Sequence, residues 1–271
     1  MKTWSFAKYA GCGNDFIIFD NQSNDFPLHR SVIQKLCHRH HGIGADGVLL
    51  LERSEVTDFR LRIFNSDGSE AEMCGNGMRC FVKWLMAKGY PQSVFHIKTM
   101  DNIITAESSG DMITLDMGKP ANIQWNLSLK YDNRFLRIHS LNTGVPHAVH
   151  FVDNAEEVDI LKIGSYLRNY SLWSPKGTNA TFAQKMGSHH LKIRTYERGV
   201  EGETLACGTG AAAAAVAAAY EGMEGPIKIE TRSGDLLTVE FKSENNAFSN
   251  IKLTGPATFV FQGSISLNNL T

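Results

Sequence analysis

The sequence predicts an α+β protein built as two similar halves, each mostly strand with one or two helices. Three observations carry that prediction. A Cys-Gly-x-Gly run occurs twice, starting at Cys74 and at Cys207, 133 residues apart, and each run opens a helix-like stretch. The same offset lays Gly144 over Gly11, His147 over Asn14, Asp153 over Asp20 and Asn179 over Asp46. After each cysteine stretch comes a similar strand–turn–strand, HIKTMDNIITAE from His96 and KIETRSGDLLTVE from Lys228. One short stretch ahead of the cysteines slips by one residue. The length of 271 residues agrees with two domains, at about 150 residues for each.

In chain order, short apolar or alternating runs predict strands at Phe16–Phe19, Val48–Leu51, Phe59–Phe64, Val94–Lys98, Ile103–Ala106 and Ile113–Asp116. In the second half they predict strands at Ala148–Val152, Thr181–Ala183, Leu191–Tyr196, Ile227–Glu230, Leu236–Phe241 and Ile251–Leu253. Helical spacing predicts helices at Leu28–His40, Cys74–Lys88, Glu156–Leu167 and Cys207–Glu221. The last contains Ala211–Ala219, eight alanines and one valine. Alanine is the best helix former, and a helix with so little side chain must lie close against its neighbours. The turn-rich stretch Pro120–Asn126 predicts the boundary. Residues 1–120 then form the half carrying Cys74 and residues 121–262 the half carrying Cys207, with 263–271 returning a last strand to the first.

Composition narrows the function. Apolar residues make up 42% and charged residues 20%, an ordinary globular balance. The net charge of −1 leaves no basic surplus to hold nucleic acid. The longest apolar run, Ala211–Tyr220, is about half a membrane span, and the start lacks the apolar core of a signal peptide. The expected address is the cytoplasm, with no membrane and no nucleic-acid partner. Five widely spaced cysteines without a CxxC pair predict reduced thiols, neither a disulfide framework nor a zinc site.

Cys74 and Cys207 each sit at the expected start of a helix, where free N–H groups and the helix dipole favour a thiolate. The glycines that follow leave backbone amides open to an anion. Two equivalent thiols suit proton exchange at an α-carbon: one removes the proton from one face, and the other delivers a proton to the opposite face. The carbanion's charge spreads into the substrate carboxylate, which the two helix starts support as an oxyanion hole does. Cys12, Cys37 and Cys80 have no repeat partner and read as buried small residues.

Gly11–Phe16 (GCGNDF), Phe64–Gly77 (FNSDGSEAEMCGNG), Gly144–Val149 (GVPHAV) and Tyr196–Ala214 (YERGVEGETLACGTGAAAA) resemble diaminopimelate epimerase, in order and over nearly the whole chain. The resemblance implies two pseudo-symmetric domains, each a β-barrel-like mixed sheet around a central helix. It implies interconversion of LL- and meso-diaminopimelate, serving lysine and peptidoglycan synthesis, with no cofactor, no metal and a possible homodimer. Residue by residue, Cys74 and Cys207 match the catalytic thiols. Gly75 with Asn76, and Gly208 with Thr209, match the anion-binding turns. Asn14, Asn65 and Asn179 match substrate-binding asparagines, Glu197 and Arg198 a pair that contacts substrate, and His147 a histidine beside the catalytic site. An amino acid with two heads suits them, since Arg198 can fork onto a carboxylate and Glu197 can take an ammonium.

Gly47 stands where some members carry a substrate-touching glutamine, and Val145 where many carry asparagine, so two polar contacts are expected to be lost. A broader racemase of the same plan, or a binding protein without catalysis, are the alternatives. Gly42–Gly47 matches GxGxxG, but a helix precedes it and a strand follows, which is the wrong order for a dinucleotide site. Asp46 is expected to shape a turn, His38, His40 and His41 to end a helix, and Glu70 and Glu72 to be solvated or to cap the cysteine helix.

Overall fold

Residues 3–245 and 247–267 are described by the computed structural model, and they divide into two units. Residues 3–115 with 255–267 form the first unit and residues 116–254 the second. The crossings therefore fall at 115/116 and 254/255, ahead of the expected 120/121 and 262/263.

In the first unit, β1 (Thr3–Gly11) and β2 (Asn14–Asp20) form an antiparallel hairpin. Its turn holds Cys12 and Gly13 at φ of 51° and 84°. α1 (Arg30–Cys37) leads to β3 (Gly47–Glu52), parallel to β2, and β4 (Phe59–Asn65) returns antiparallel. After the short β5 (Glu70–Ala71), α2 (Gly75–Ala87) leads to β6 (Val94–Lys98), parallel to β4. β7 (Ile103–Ser109) and β8 (Met112–Asp116) complete a meander. α2 buries Met78, Cys80, Phe81, Val82, Trp84 and Leu85 and packs against β1, β2 and β7. A helix apolar on so many sides needs a sheet curled around it. α1 covers other strand residues, packing Val32, Ile33 and Leu36 on Ile17, Phe19, Val48 and Leu50.

The second unit repeats this plan. β9 (Ala121–Tyr131), β10 (Arg134–Asn142) and β11 (Pro146–Phe151) run antiparallel. A π-helical turn (Ile160–Gly164) and α3 (Ser165–Arg168) lead to β12 (Asn179–Gly187), parallel to β11. β13 (His190–Glu197) and β14 (Gly202–Thr204) follow, then α4 (Gly208–Tyr220) and β15 (Ile227–Glu230), parallel to β13. β16 (Leu236–Glu244) and β17 (Ala247–Pro256) close the meander. β18 (Thr258–Ser266) then belongs to the first unit, antiparallel to β1. The strand order β18-β1-β2-β3-β4-β6-β7-β8 thus matches β9-β10-β11-β12-β13-β15-β16-β17, with parallel junctions at the same two places. This is an α+β fold of two repeated halves, each a mixed sheet around a helix. Ala211–Ala218 of α4 are fully buried, so strands approach its backbone where α2 carries aromatic rings.

A matching ion pair marks the repeat. Arg62 forks onto Glu70 at 2.8 and 2.7 Å, and Arg194 onto Glu203 at 2.6 and 2.8 Å. The second pair is one residue further apart in sequence, which is the slip the sequence shows. Glu70 is therefore an ion-pair partner rather than a helix cap.

Four elements differ from expectation. Residues 120–126, read as a turn-rich boundary, enter β9; Asn122 and Asn126 take positive φ, which asparagine tolerates, and the strand continues through them. Apolar residues at every second position from Ile123 to Tyr131 were the available signal. β1 and β10 carry charges among their apolar positions and were likewise not predicted. The helix expected from Glu156 begins at Ile160, because Arg194 Nη1 takes the carbonyls of Ala155, Glu156 and Val158 at 2.9, 3.4 and 3.1 Å. Among the described residues no helix is long and apolar enough to cross a membrane.

Candidate active site

The two cysteines are built alike. Cys74 caps α2 in extended conformation (φ −143°, ψ 109°), and its Sγ accepts the N–H of Gly77 at 3.4 Å. Cys207 caps α4 (φ −125°, ψ 110°), and its Sγ accepts the N–H of Gly210, also at 3.4 Å. A side-chain acceptor at the cap satisfies one of the orphan donors of the first turn. Neither glycine after the cysteine is interchangeable with the other: a Cβ on Gly208 would come 2.9 Å from Leu253, whereas Gly75 has ordinary space.

In the first unit the predicted residues gather at one end of the sheet. Asn14 begins β2, Asn65 ends β4 opposite Gly47, and Asn76 lies in the first turn of α2. Asn76 Nδ2 donates to Asn14 Oδ1 at 2.8 Å, and Asn14 Nδ2 donates to Asp46 at 3.1 Å. Asn65 Nδ2 donates to Ser69 Oγ at 3.0 Å and remains exposed. Asp46 does more than shape a turn. Its carboxylate holds Asn14, the Asp15 N–H and Arg39, the last at 2.8 Å. Arg39 also grips Asp15 at 3.0 and 2.9 Å, beside Lys8. Burial pulls the Asp15 carboxyl up, but hydrogen bonds and charge from Arg39 and Lys8 outweigh it and hold the carboxyl at about 2.

The second unit places His147, Asn179, Thr209, Glu197 and Arg198 in the same way. His147 Nε2 lies 2.9 Å from Thr209 Oγ1 and 3.4 Å from Asn179 Nδ2. These are the offset partners of Asn14, Asn76 and Asp46, so both units make the same bonds with different side chains. The N–H of Arg198 donates to Asn179 Oδ1 at 2.8 Å, which turns Nδ2 toward His147. Nε2 of His147 therefore accepts, and Nδ1–H donates to Thr181 Oγ1 at 3.1 Å. Burial, with the charge of Arg198, depresses the imidazole to about 3, so the ring is neutral at physiological pH. The Arg198 guanidinium has no hydrogen-bond or ion-pair partner among the described residues.

Cys207 departs from the thiolate expectation. Burial, and then the charge of Glu197, push its thiol well above the usual range, outweighing the helix start. The thiol lies beside the Glu197 carboxylate, which accepts Thr204 Oγ1 at 2.6 Å, and its Sγ is 3.4 Å from Thr209 Oγ1. Burial raises Glu197 in turn. Cys37 and Cys80 are raised chiefly by burial, Cys37 to about 12, in keeping with small core residues.

Gly47 has no room for a side chain: a Cβ would lie 2.5 Å from the Phe64 carbonyl oxygen. Val145 sits in the turn before Pro146 and brings no polar side-chain atom. The glycines at 42–47 form the exit of α1, with Gly42 N–H on His38 O at 2.8 Å and Gly44 N–H on Leu36 O at 2.9 Å. His38 ends that helix and accepts the N–H groups of His40 and His41 through Nδ1, both at 3.1 Å. Sequence reasoning missed Arg79. It is fully buried in α2, with Nη2 donating to Asn76 Oδ1 at 2.7 Å and to Cys12 Sγ at 3.1 Å. An arginine among the apolar residues Met78, Cys80, Phe81 and Val82 was the signal.

A family model for diaminopimelate epimerase matches residues 6–123 and 139–260, once in each half. The chain is similar to the diaminopimelate epimerase of Methanocella arvoryzae, at 40% identity with 99% of each chain covered. It is similar to that of Archaeoglobus fulgidus at 39%, with 98% of each covered. Among solved structures it resembles a phenazine biosynthesis protein of the PhzF family from Bacillus anthracis, with TM-score 0.77 and 16% identity over 98% of this chain and 100% of that one. A hydroxyproline epimerase from Agrobacterium vitis gives TM-score 0.72 and 15% identity over 98% and 93%. Identities that low carry the fold alone, but the relatives near 40% and the twofold match carry more: this chain belongs to the diaminopimelate epimerase family, a family of isomerases.

Proposed function

We propose that this protein interconverts LL- and meso-2,6-diaminopimelate, a step in making lysine and peptidoglycan precursors, by two-base proton exchange with Cys74 and Cys207 and no cofactor. One observation carries the reading: both units cap their central helix with a cysteine whose sulfur meets the same backbone amide at the same 3.4 Å. A thiolate takes the α-proton from one face as its S–H bond forms, and the electron pair of the C–H bond passes into the carboxylate. The other thiol gives its proton to the opposite face and becomes the thiolate. The Glu197 carboxylate beside Cys207 favours its thiol form, which suits Cys207 to give the proton when Cys74 takes one. The amides of Gly75 and Asn76, and of Gly208 and Thr209, meet the carboxylate whose charge grows. Arg198, whose guanidinium has no partner among the described residues, takes the distal carboxylate, and Asn14, Asn65, Asn179 and Glu197 complete the substrate contacts. Neutral His147 orients Thr209 and Asn179 rather than transferring protons.

Association of two copies belongs to the same reading. Exposed Phe259, Val260 and Phe261 on β18 support it, and a monomeric mass in solution would overturn it. A cytoplasmic setting suits reduced thiols.

The test is incubation with LL-diaminopimelate in D2O under reducing conditions. Deuterium at the α-carbon with meso product, reduced by about a hundredfold or more in Cys74→Ala and in Cys207→Ala, is expected. Exchange of proline or glutamate instead would move the substrate, and no exchange with any amino acid would overturn the reading.

A further inference from the structure

A hydrogen-bond chain of fixed direction crosses the first unit. Arg79 Nη2 donates to Asn76 Oδ1 at 2.7 Å, Asn76 Nδ2 to Asn14 Oδ1 at 2.8 Å, and Asn14 Nδ2 to Asp46 Oδ2 at 3.1 Å. Arg39 Nη2 closes the far end on Asp46 Oδ1 at 2.8 Å. A guanidinium only donates and a carboxylate only accepts, so the two charged ends allow one orientation of both amides. An amide between neutral partners would be free to turn over.

We propose that Arg79 and Asp46 are positioning residues, which lock the amides of Asn76 and Asn14 so that Asn14 offers an N–H rather than a carbonyl to a substrate carboxylate. This deepens the proposed function and rests on it for the identity of the substrate. Arg79 is costly to keep for packing alone. It is fully buried, and its Nη1 has no hydrogen-bond partner among the described residues. The duplication makes the same point, since the residue at the 133-residue offset in α4 is Ala212, so the helix needs no arginine there to form its first turns. No hydrogen bond or ion pair joins Arg79 to Asp46 directly among the described residues.

The experiment is a double-mutant cycle with Arg79→Met and Asp46→Asn, read by α-proton exchange of diaminopimelate and by 1H–15N spectra of the asparagine side-chain amides. Each single variant is expected to lower kcat/KM about ten- to a hundredfold, the range for losing a residue that orients a ligand-touching group. Unlinked sites would multiply their losses. The chain predicts instead that the double variant falls little below the worse single one. The Asn76 amide resonance is expected to move in Asp46→Asn, two bonds away along the chain. Multiplying losses, or singles as active as the parent, would overturn the proposal. An unmoved Asn76 resonance would do so even if the protein exchanged no diaminopimelate, an outcome that would sink the proposed function alone. Asp46→Asn keeps shape and size, so it carries the test should Arg79→Met fail to fold.

Discussion

Restoring a glutamine at position 47 should not restore a substrate contact; it should pry the sheet apart. A Cβ there lies 2.5 Å from the Phe64 carbonyl oxygen and 3.3 Å from two ring carbons of Phe16. Reaching ordinary contact needs a shift of about 1 Å between β3 and β4, where Val48 faces Phe64 and Gly47 faces Asn65. Overpacking costs about 1–3 kcal/mol, and one or two weakened ladder hydrogen bonds add about 1 kcal/mol each. Together these give roughly 2–5 kcal/mol, and at about 2–4 °C per kcal/mol for a protein of this size Tm falls by about 4–20 °C. Asn65 moves with the strand, so exchange activity falls as well. Calorimetry and α-proton exchange on Gly47→Gln and Gly47→Ala are the assays. The alanine variant carries the same Cβ and should show most of the loss. A Gly47→Gln protein with unchanged Tm and full activity would refute the argument, because it would mean that β3 yields without cost.

Two further predictions concern ionisation. Asp15 sits at about 2 rather than near 4, so its contribution is complete above the unfolded value and is lost as pH falls from about 4 to 2. Asp15→Asn should therefore be about 1–2 kcal/mol less stable at pH 7 by urea unfolding, with the gap to the parent closing toward pH 2.5; a gap independent of pH would rule out the ion pairs with Lys8 and Arg39 as its source. Glu197→Gln removes a negative charge beside Cys207, so the Cys207 thiol should titrate lower. Alkylation of Cys207, followed by mass spectrometry, should shift its pH profile to more acid values, and an unshifted profile would show that burial alone holds the thiol up.

Much of the fold was legible in the residues because a duplication writes itself into sequence. The Cys-Gly-x-Gly runs, the offset of 133 and the period-two strands are local patterns, and local patterns survive without knowledge of the partner they pack on. The cysteines of the two helix caps and the pairing of Asn14 with His147 follow from that offset alone. What only the tertiary structure decided depends on neighbours distant in the chain. The last strand returns to the first unit as expected, but its extent, Thr258–Ser266, is set by pairing with β1 some 260 residues away, where it takes the place that β9 holds in the second unit. The Phe64 carbonyl closes position 47, though nothing in the residue order says how near it lies. The helix start argues for a thiolate at Cys207, but burial and Glu197 reverse the balance, because desolvation and charge act through space and not along the chain. Arg79 is one arginine in a helix when read in sequence; only folding buries it against Asn76 and makes its direction of donation matter.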